Sequence, residues 1–280
     1  MERTISMGNI LAMGEPGSGL TSFVKKDIIN LNNSSNKIFV FDYYGEYHKF
    51  AERNNGQVID VSKEEIGVHL FDKNNEDIDK INLAEETAIL IREVLKPLTE
   101  EEKTNFDIEY KDVITGVKKK KWFIKKYYGC FYDRYPSFYK ENKIDFYCPL
   151  VIYDFSNVDE KDRAAMTIIC MTQLEKYIKS LDIKTRKYCI FDTYDGNVPS
   201  VFMNQFCIRA RQYNLTNMWL TNYYTSFNLG IKYNCDKFYI FRNNFHETIK
   251  IVEDLNMGDD LTDIILNLTD TPVILDKMKG

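Results

Sequence analysis

The sequence predicts an α/β fold: a mainly parallel sheet flanked by helices, with a smaller and mostly helical insertion. Two observations predict the sheet. Short apolar runs alternate with amphipathic segments at both ends of the chain, which is the pattern of βαβ units, and a glycine-rich turn joins the first run to the first helix. A charged, aromatic segment of weak periodicity between these ends predicts the insertion. We therefore expect residues 1–76 and 149–280 to form the core and residues 77–148 the insertion.

The predicted strands are short apolar runs, several of which end in an acid or a threonine. Such runs are typical of strands buried in a parallel sheet, since both faces of the sheet are covered. In chain order they are Asn9–Met13, Lys37–Asp42, Gln57–Val61, Leu150–Phe155, Lys187–Asp192, Asn217–Thr221, Lys237–Arg242 and Pro272–Leu275.

The predicted helices carry apolar residues at intervals of three and four. This spacing puts the apolar side chains on one stripe that can face a core. The predicted helices are Leu20–Leu31, Asp77–Leu95, Asp159–Ser180, Val201–Tyr213 and Asp259–Asn267.

Composition limits the functional classes. With 280 residues, 44% of them hydrophobic, the chain can bury a large core, and its net charge of −5 lacks the basic footprint of a nucleic-acid-binding domain. Six scattered cysteines form no C-x-x-C pair, and the three histidines lie far apart, so neither a disulfide framework nor a zinc site is indicated. No apolar run has the length of a membrane span, and we expect a cytoplasmic protein.

The segment Gly14–Thr21 reads GEPGSGLT and resembles the phosphate-binding template G-x-x-x-x-G-K-[ST]. Gly14, Gly19 and Thr21 match, while Leu20 stands where the template has lysine. Backbone N–H groups of such a loop surround an anion, and the helix that follows adds its partial positive charge. We expect nucleotide binding by Gly14, Gly17, Ser18, Gly19, Leu20, Thr21 and Ser22, with the Thr21 hydroxyl as a magnesium ligand.

The leucine predicts weak or absent binding of ATP and magnesium. It offers neither a charge nor a donor to the phosphates, and a hydrogen bond to a charged group contributes about 1.5–3 kcal/mol. Its loss lowers affinity roughly 10- to 100-fold. A ligand-free glycine turn is the alternative interpretation of this segment.

Further segments resemble the VirB/TraC-type ATPases of type IV secretion and conjugative transfer, within the HerA–FtsK clade of RecA-like P-loop proteins. Asp42, Glu46 and Tyr47 match the D-x-x-x-E-Y strand and turn of that family. Lys187–Gly196 is similar to its Walker B segment, and Met218–Phe227 to the strand that ends in Thr-Gln. The resemblance covers nearly the whole chain and implies an ATPase domain of hexameric motors.

The same comparison shows replaced catalytic positions. Asp192 is kept and is the expected second magnesium ligand, but Thr193 replaces the glutamate and Asn222 the glutamine. A threonine hydroxyl is no general base near pH 7. The sequence therefore predicts a catalytically impaired domain.

Other charged residues are candidates on weaker signals. Asp195 and Glu46 are conceivable substitute bases, or else solvated loop acids. Arg209 and Arg211 fall where the family has basic residues near a subunit boundary and are candidate finger residues, or else a solvated helix face.

The expected role is a structural or regulatory subunit of a cell-envelope transfer complex, as a homo-oligomer or with other subunits. A peripheral position at the inner face of the membrane is compatible with that role. One alternative is an active ATP-hydrolysing motor with an atypical site. Another is a DNA-binding module that uses Lys118, Lys119, Lys120 and Lys121 beside Trp122. In a chain of net negative charge, a charged surface of the insertion is the favoured explanation of the lysine cluster.

Overall fold

The computed structural model describes residues 8–32, 35–63, 99–115, 117, 126, 144–192, 198, 200–225, 227, 229–258, 260–269 and 271–277. The chain divides into two compact units. The first consists of Met1–Ile59, Asp145–Ser156 and Ile178–Gly280, and the second of Asp60–Ile144 and Asn157–Tyr177. The predicted boundary between residues 76 and 77 lies outside the described residues, so the division into 1–76, 77–148 and 149–280 stays a prediction.

Eight strands form one sheet in the described residues, in the order β3-β4-β2-β5-β6-β1-β7-β8. All paired strands whose register is known are parallel except β7 and β8 at one edge. The strands are β1 (Asn9–Met13), β2 (Asn36–Asp42), β3 (Gln57–Asp60), β4 (Leu150–Asp154), β5 (Arg186–Asp192), β6 (Leu215–Thr221), β7 (Lys237–Ile240) and β8 (Val273–Asp276). The predicted sheet is confirmed, and strand ends differ from the prediction by no more than two residues.

The helices of the described residues connect the strands. They are α1 (Leu20–Leu31), α2 (His48–Arg53), α3 (Glu100–Ile114), α4 (Glu160–Ser180), α5 (Ser200–Ala210), α6 (Leu229–Asn234), α7 (Phe245–Asp254) and α8 (Asp260–Leu266), and a short 3-10 turn, Arg211–Tyr213, follows α5. The sequence did not predict α2, α6 or α7. Two of these have only six residues, which is too short for a periodic signal, and α7 begins at an Asn244 cap that the sequence reading overlooked. The predicted helix Asp77–Leu95 lies outside the described residues.

One face of the sheet is covered by α1. Its buried residues Leu20, Phe23, Val24 and Ile28 join a core cluster with strand residues such as Val40. The Phe23 ring meets two aromatic rings of the β7 segment edge-on, at 5.3 and 5.8 Å between centroids. This packing fixes the first turn of α1 above the carboxyl end of β1, where the glycine-rich loop lies.

The other face carries a row of aromatic rings. Tyr153, Phe41, Phe191 and Trp219 occupy matched register positions on β4, β2, β5 and β6. Their rings stack in succession at centroid distances of 5.0, 4.7 and 5.7 Å, and Phe206 of α5 meets the row edge-on. Stacking of this kind adds about 0.5–1.5 kcal/mol per pair beyond burial.

The second unit contains helix α3. The N-terminus of α3 is capped reciprocally: Thr99 Oγ1 accepts from the backbone N–H of Glu102, whose carboxylate accepts from the backbone N–H of Thr99. Further along α3, Phe106 is fully buried, and Glu109 pairs with Lys126 at 2.9 Å.

Candidate functional site

The glycine-rich loop, residues 14–19, is fastened to both strands that flank β1. The backbone N–H of Gly14 donates to the carbonyl oxygen of Thr221 at 3.1 Å, and that of Glu15 to the carbonyl of Arg242 at 2.9 Å. Within the loop, the N–H of Ser18 donates to the carbonyl of Glu15 at 3.0 Å. The start of the loop is therefore held by backbone hydrogen bonds to the carboxyl ends of the β6 and β7 segments. It is not a flat surface turn.

The conformation of the loop exposes donors at the start of α1. Gly17 and Gly19 have φ of 81° and 87°, a region that costs other residues about 1–2 kcal/mol. The first intrahelical bond of α1 runs from the Phe23 N–H to the Gly19 carbonyl, so the preceding N–H groups have no intrahelical partner. Ser18 Oγ is buried and makes no hydrogen bond within the described residues. These groups form a cradle suited to an anion.

An open pocket of about 500 Å³ lies against this cradle. Its lining comes from the loop, the first turn of α1, the turn after β2 and the segment after β6. The lining residues are Glu15, Pro16, Gly17, Ser18, Gly19, Leu20, Thr21, Ser22, Tyr44, Glu46, Thr221, Asn222, Tyr223 and Phe227. The structure thus brings together the predicted loop residues 17–22 and Asn222, while the predicted Gly14 supports the loop from below.

Leu20 borders the pocket, but its side chain belongs to the apolar core. It is 7% exposed and packs in the same cluster as Phe23 and Val24. The described lining contains two carboxylates, from Glu15 and Glu46, and no lysine or arginine. A phosphate in this pocket would meet backbone and hydroxyl donors but no cationic side chain of the lining itself.

Asp42 organises the turn after β2. Its carboxylate accepts hydrogen bonds from the backbone N–H groups of Tyr44, Gly45, Glu46 and Tyr47, at 2.9 to 3.2 Å. From this turn Tyr44 and Glu46 reach the pocket. The sequence singled out Asp42 only through the family motif, and the structure shows that the aspartate holds the turn through its backbone.

Asp192 ends β5, in register with Asp42 on β2. It is 3% exposed and is not among the lining residues of the pocket. Burial raises the pKa of the Tyr47 hydroxyl, and the neighbouring Asp192 carboxylate raises it further. Only strand β6 lies between β5 and β1, and the three strands are parallel. Asp192 and the loop therefore both lie at the carboxyl ends of these strands. Its role as a magnesium ligand stays a prediction, and Thr193 and Asp195 lie outside the described residues.

The segment after β6 is held by α7. The buried carboxylate of Glu247 accepts hydrogen bonds from the backbone N–H of Thr225 at 2.8 Å and from its hydroxyl at 2.7 Å. Thr221 Oγ1 accepts from the backbone N–H of Tyr223 at 3.0 Å. Between these two anchors, Asn222 lines the pocket, and its role as a sensor residue stays a prediction.

Arg209 and Arg211 lie away from this pocket. Arg211 pairs with Asp236 at 2.5 Å, and Asp236 accepts the backbone N–H of Asn9, the first residue of β1. That contact belongs to the amino end of the strand, opposite to the loop. Arg209 lies two residues earlier, in the last turn of α5. Neither arginine can reach the nucleotide pocket of its own chain, and their proposed action on a neighbouring subunit stays a prediction.

The remaining sequence hypotheses concern the lysine cluster, membrane spans and metal sites. Lys118, Lys119, Lys120 and Lys121, with Trp122, lie outside the described residues. Among the described residues, no helix is long and apolar enough to cross a membrane. In the same part of the chain, no group of three or more histidine, cysteine or acidic side chains has the geometry of a metal site.

Comparison with known proteins gives structural likeness without sequence likeness. No protein-family model matches the sequence, and no curated protein matches it. The fold is similar to VirB4 of Thermoanaerobacter pseudethanolicus, with a TM-score of 0.72 and 13% identity over 94% of this chain and 84% of that one. It is also similar to the plasmid coupling protein TrwB in complex with ADP and Mg²⁺, with a TM-score of 0.58 and 12% identity over 94% and 80%.

A third likeness is to the genome packaging NTPase B204 of Sulfolobus turreted icosahedral virus 2 in complex with AMP. The TM-score is 0.50 and the identity 11%, over 98% of this chain and 94% of that one. These likenesses confirm the predicted RecA-like P-loop fold and the structural resemblance to ATPases of type IV secretion and conjugation.

Proposed function

We propose that this chain is a nucleotide-binding domain of the P-loop motor type that binds phosphate weakly, through backbone donors, and hydrolyses ATP slowly. In this proposal it serves as a structural or regulatory subunit of a cell-envelope transfer complex. The observation that carries it is the burial of Leu20 in the core beneath an otherwise well-formed phosphate cradle.

The chemistry follows from which groups border the pocket. The N–H groups at the start of α1 and the positive end of its dipole attract an anion. Thr21 Oγ1 is the proposed magnesium ligand, with Asp192 behind it. The described lining has no cationic side chain, so negative charge that develops on a transferring phosphoryl group is poorly compensated. The rate of hydrolysis is therefore reduced more than the affinity for nucleotide.

An active motor is the second candidate, and one observation favours it. Glu46 borders the pocket from the turn that Asp42 fixes, and a carboxylate there would polarise an attacking water. Under this alternative, Glu46→Gln abolishes a hydrolysis rate that the wild type shows at motor-like levels.

The test combines calorimetric titration of ATPγS with magnesium and steady-state hydrolysis of ATP. The informative variant is Leu20→Lys, because residue 20 borders the pocket and a lysine there can extend its charged end into it. The matched control is Ile29→Lys, which adds a lysine to an exposed position of the same helix, 52% exposed and two turns away.

We expect weak, saturable binding by the wild type and binding about 10- to 100-fold tighter by Leu20→Lys. Ile29→Lys should behave like the wild type. Hydrolysis by the wild type at about 1 per second or faster, with no gain from Leu20→Lys, would refute an impaired site. Failure of both proteins to bind any nucleotide would refute the nucleotide-binding function itself.

A further inference from the structure

A cation lies behind the pocket, although the lining that the structure describes contains none. Arg242 follows β7, which pairs in parallel with β1 on the side opposite to β6. Its Nε donates to Glu15 Oε1 at 2.7 Å, and its carbonyl accepts the Glu15 N–H at 2.9 Å. Glu15 in turn lines the pocket, so one residue separates the guanidinium from the phosphate cradle.

The Arg242–Glu15 pair leaves donors available. The Arg242 side chain is 41% exposed and the Glu15 side chain 31% exposed. Only Nε is engaged within the described residues, so the two terminal amino groups keep their hydrogen-bonding capacity. An arginine presents its donors as a planar fork that matches the oxygens of a phosphate as well as those of a carboxylate.

We propose that Arg242 is the phosphate-binding cation of this pocket, in place of the lysine that Leu20 replaces. The proposal rests on the nucleotide-binding function argued above. In the empty pocket Glu15 holds the guanidinium. An entering phosphate takes the Glu15 carboxylate's place on the arginine fork, so the glutamate competes with the ligand.

The charge balance of the site supports this exchange. The two lining carboxylates, Glu15 and Glu46, would repel a phosphate by themselves. Arg242 pairs with the Glu15 carboxylate, whereas Lys25 bonds Glu46 through the backbone: its Nζ donates to the Glu46 carbonyl at 2.9 Å. Lys25 also lies over the Tyr47 ring, with Nζ 4.5 Å from the ring centroid, and this contact holds the lysine to the turn. The terminal amino groups of Arg242 remain available to donate to a phosphate.

The test compares Arg242→Gln, Glu15→Gln and the control Arg186→Gln by titration of ATPγS, ADP and adenosine. Arg186 is also an exposed arginine, but it begins β5 and therefore lies at the amino end of the parallel strands, away from the loop. We expect Arg242→Gln to bind ATPγS and ADP about 10- to 100-fold more weakly than the wild type, with adenosine unaffected. Arg186→Gln should match the wild type.

Glu15→Gln distinguishes competition from simple anchoring. If the glutamate competes with phosphate, its neutral form should bind ATPγS about 2- to 5-fold more tightly, which is the range of a partly exposed ion pair. Weaker binding by Glu15→Gln, or an Arg242→Gln affinity equal to that of Arg186→Gln, would overturn the proposal while leaving nucleotide binding intact. Absence of ATPγS binding by the wild type would instead refute the nucleotide-binding function, and this proposal with it. Melting curves of each variant confirm that the loss is not one of folding.

Discussion

Tyr47 connects Asp42 and Asp192, which occupy matched positions at the carboxyl ends of the neighbouring strands β2 and β5. The backbone N–H of Tyr47 donates to Asp42 Oδ2 at 2.9 Å, and the buried Tyr47 hydroxyl lies beside the Asp192 carboxylate. The turn that brings Tyr44 and Glu46 to the pocket is therefore hydrogen-bonded to Asp42, and the Tyr47 side chain that follows it lies beside Asp192. A change in this turn should alter stability and the pocket together.

Asp42→Asn should destabilise the fold and weaken nucleotide binding. The carboxylate accepts four backbone N–H bonds, and an asparagine would direct an N–H₂ group at some of these donors. Leaving buried donors unsatisfied costs about 1–3 kcal/mol, and we expect about 3 kcal/mol in urea unfolding. Asp145→Asn is the control, because that exposed carboxylate accepts one backbone N–H, from Tyr147. Equal losses in the two variants would contradict the role given to Asp42.

The sequence predicted local features well because the local signals are strong. The apolar runs and the glycine loop each depend on neighbours within about ten residues, and β1 and α1 have the predicted ends. The pairing of Glu15 with Arg242 joins residues 227 positions apart, and no local pattern marks it. The role of Asp42 in the turn was missed for another reason: a family motif drew attention to the acid as a chemical group, while its partners are backbone donors that every residue carries.

Gly14 and Gly17 should respond differently to alanine, since only one has space for a methyl group. A Cβ on Gly14 would lie 2.5 Å from Ser18 Oγ and 2.7 Å from Phe241 Cβ, whereas one on Gly17 meets nothing within 4 Å. Gly17→Ala costs only its backbone strain, about 1–2 kcal/mol. Gly14→Ala should cost about 3 kcal/mol, at the upper end for overpacking, because the Phe241 Cβ cannot rotate away.

Chemical denaturation and ATPγS titration check this pair. Gly14→Ala should also lose nucleotide binding, because displacement of Ser18 distorts the cradle. Gly17→Ala should keep it at reduced affinity. A Gly14→Ala protein as stable as Gly17→Ala would show that the loop relaxes around the added methyl.

Glu247→Ala should loosen the pocket wall after β6. The variant leaves the backbone N–H and the hydroxyl of Thr225 without their acceptor, at a cost of about 2–3 kcal/mol. Because Asn222 and Tyr223 line the pocket from this segment, affinity for ATPγS should fall as well. Thr225→Val is the graded control: it removes the hydroxyl bond and keeps the N–H bond, so both losses should be smaller. If Thr225→Val were the more damaging change, the carboxylate would not be the anchor.

The buried thiol of Cys207 should make stability fall as the solution becomes alkaline. Burial raises the pKa of the Cys207 thiol to about 12, from its ordinary value of 9.0. Above about pH 9 the unfolded chain releases this proton while the folded chain retains it, so the folded state binds more protons and the free energy of unfolding decreases with pH. From pH 9 to pH 10 this thiol alone accounts for about 1 kcal/mol.

Cys207→Ala removes this thiol's contribution to the difference in bound protons between the folded and the unfolded chain. Urea unfolding at pH 9 and pH 10 should show a loss of stability about 1 kcal/mol smaller than in the wild type, whatever the absolute stability of the variant. The lysines and tyrosines that also titrate in this range are common to both proteins, so they cancel in the difference. Between pH 7 and pH 8 the two slopes should coincide. Equal slopes above pH 9 would mean that the thiol ionises in the folded protein, and hence that water reaches the space between α5 and the amino end of β1.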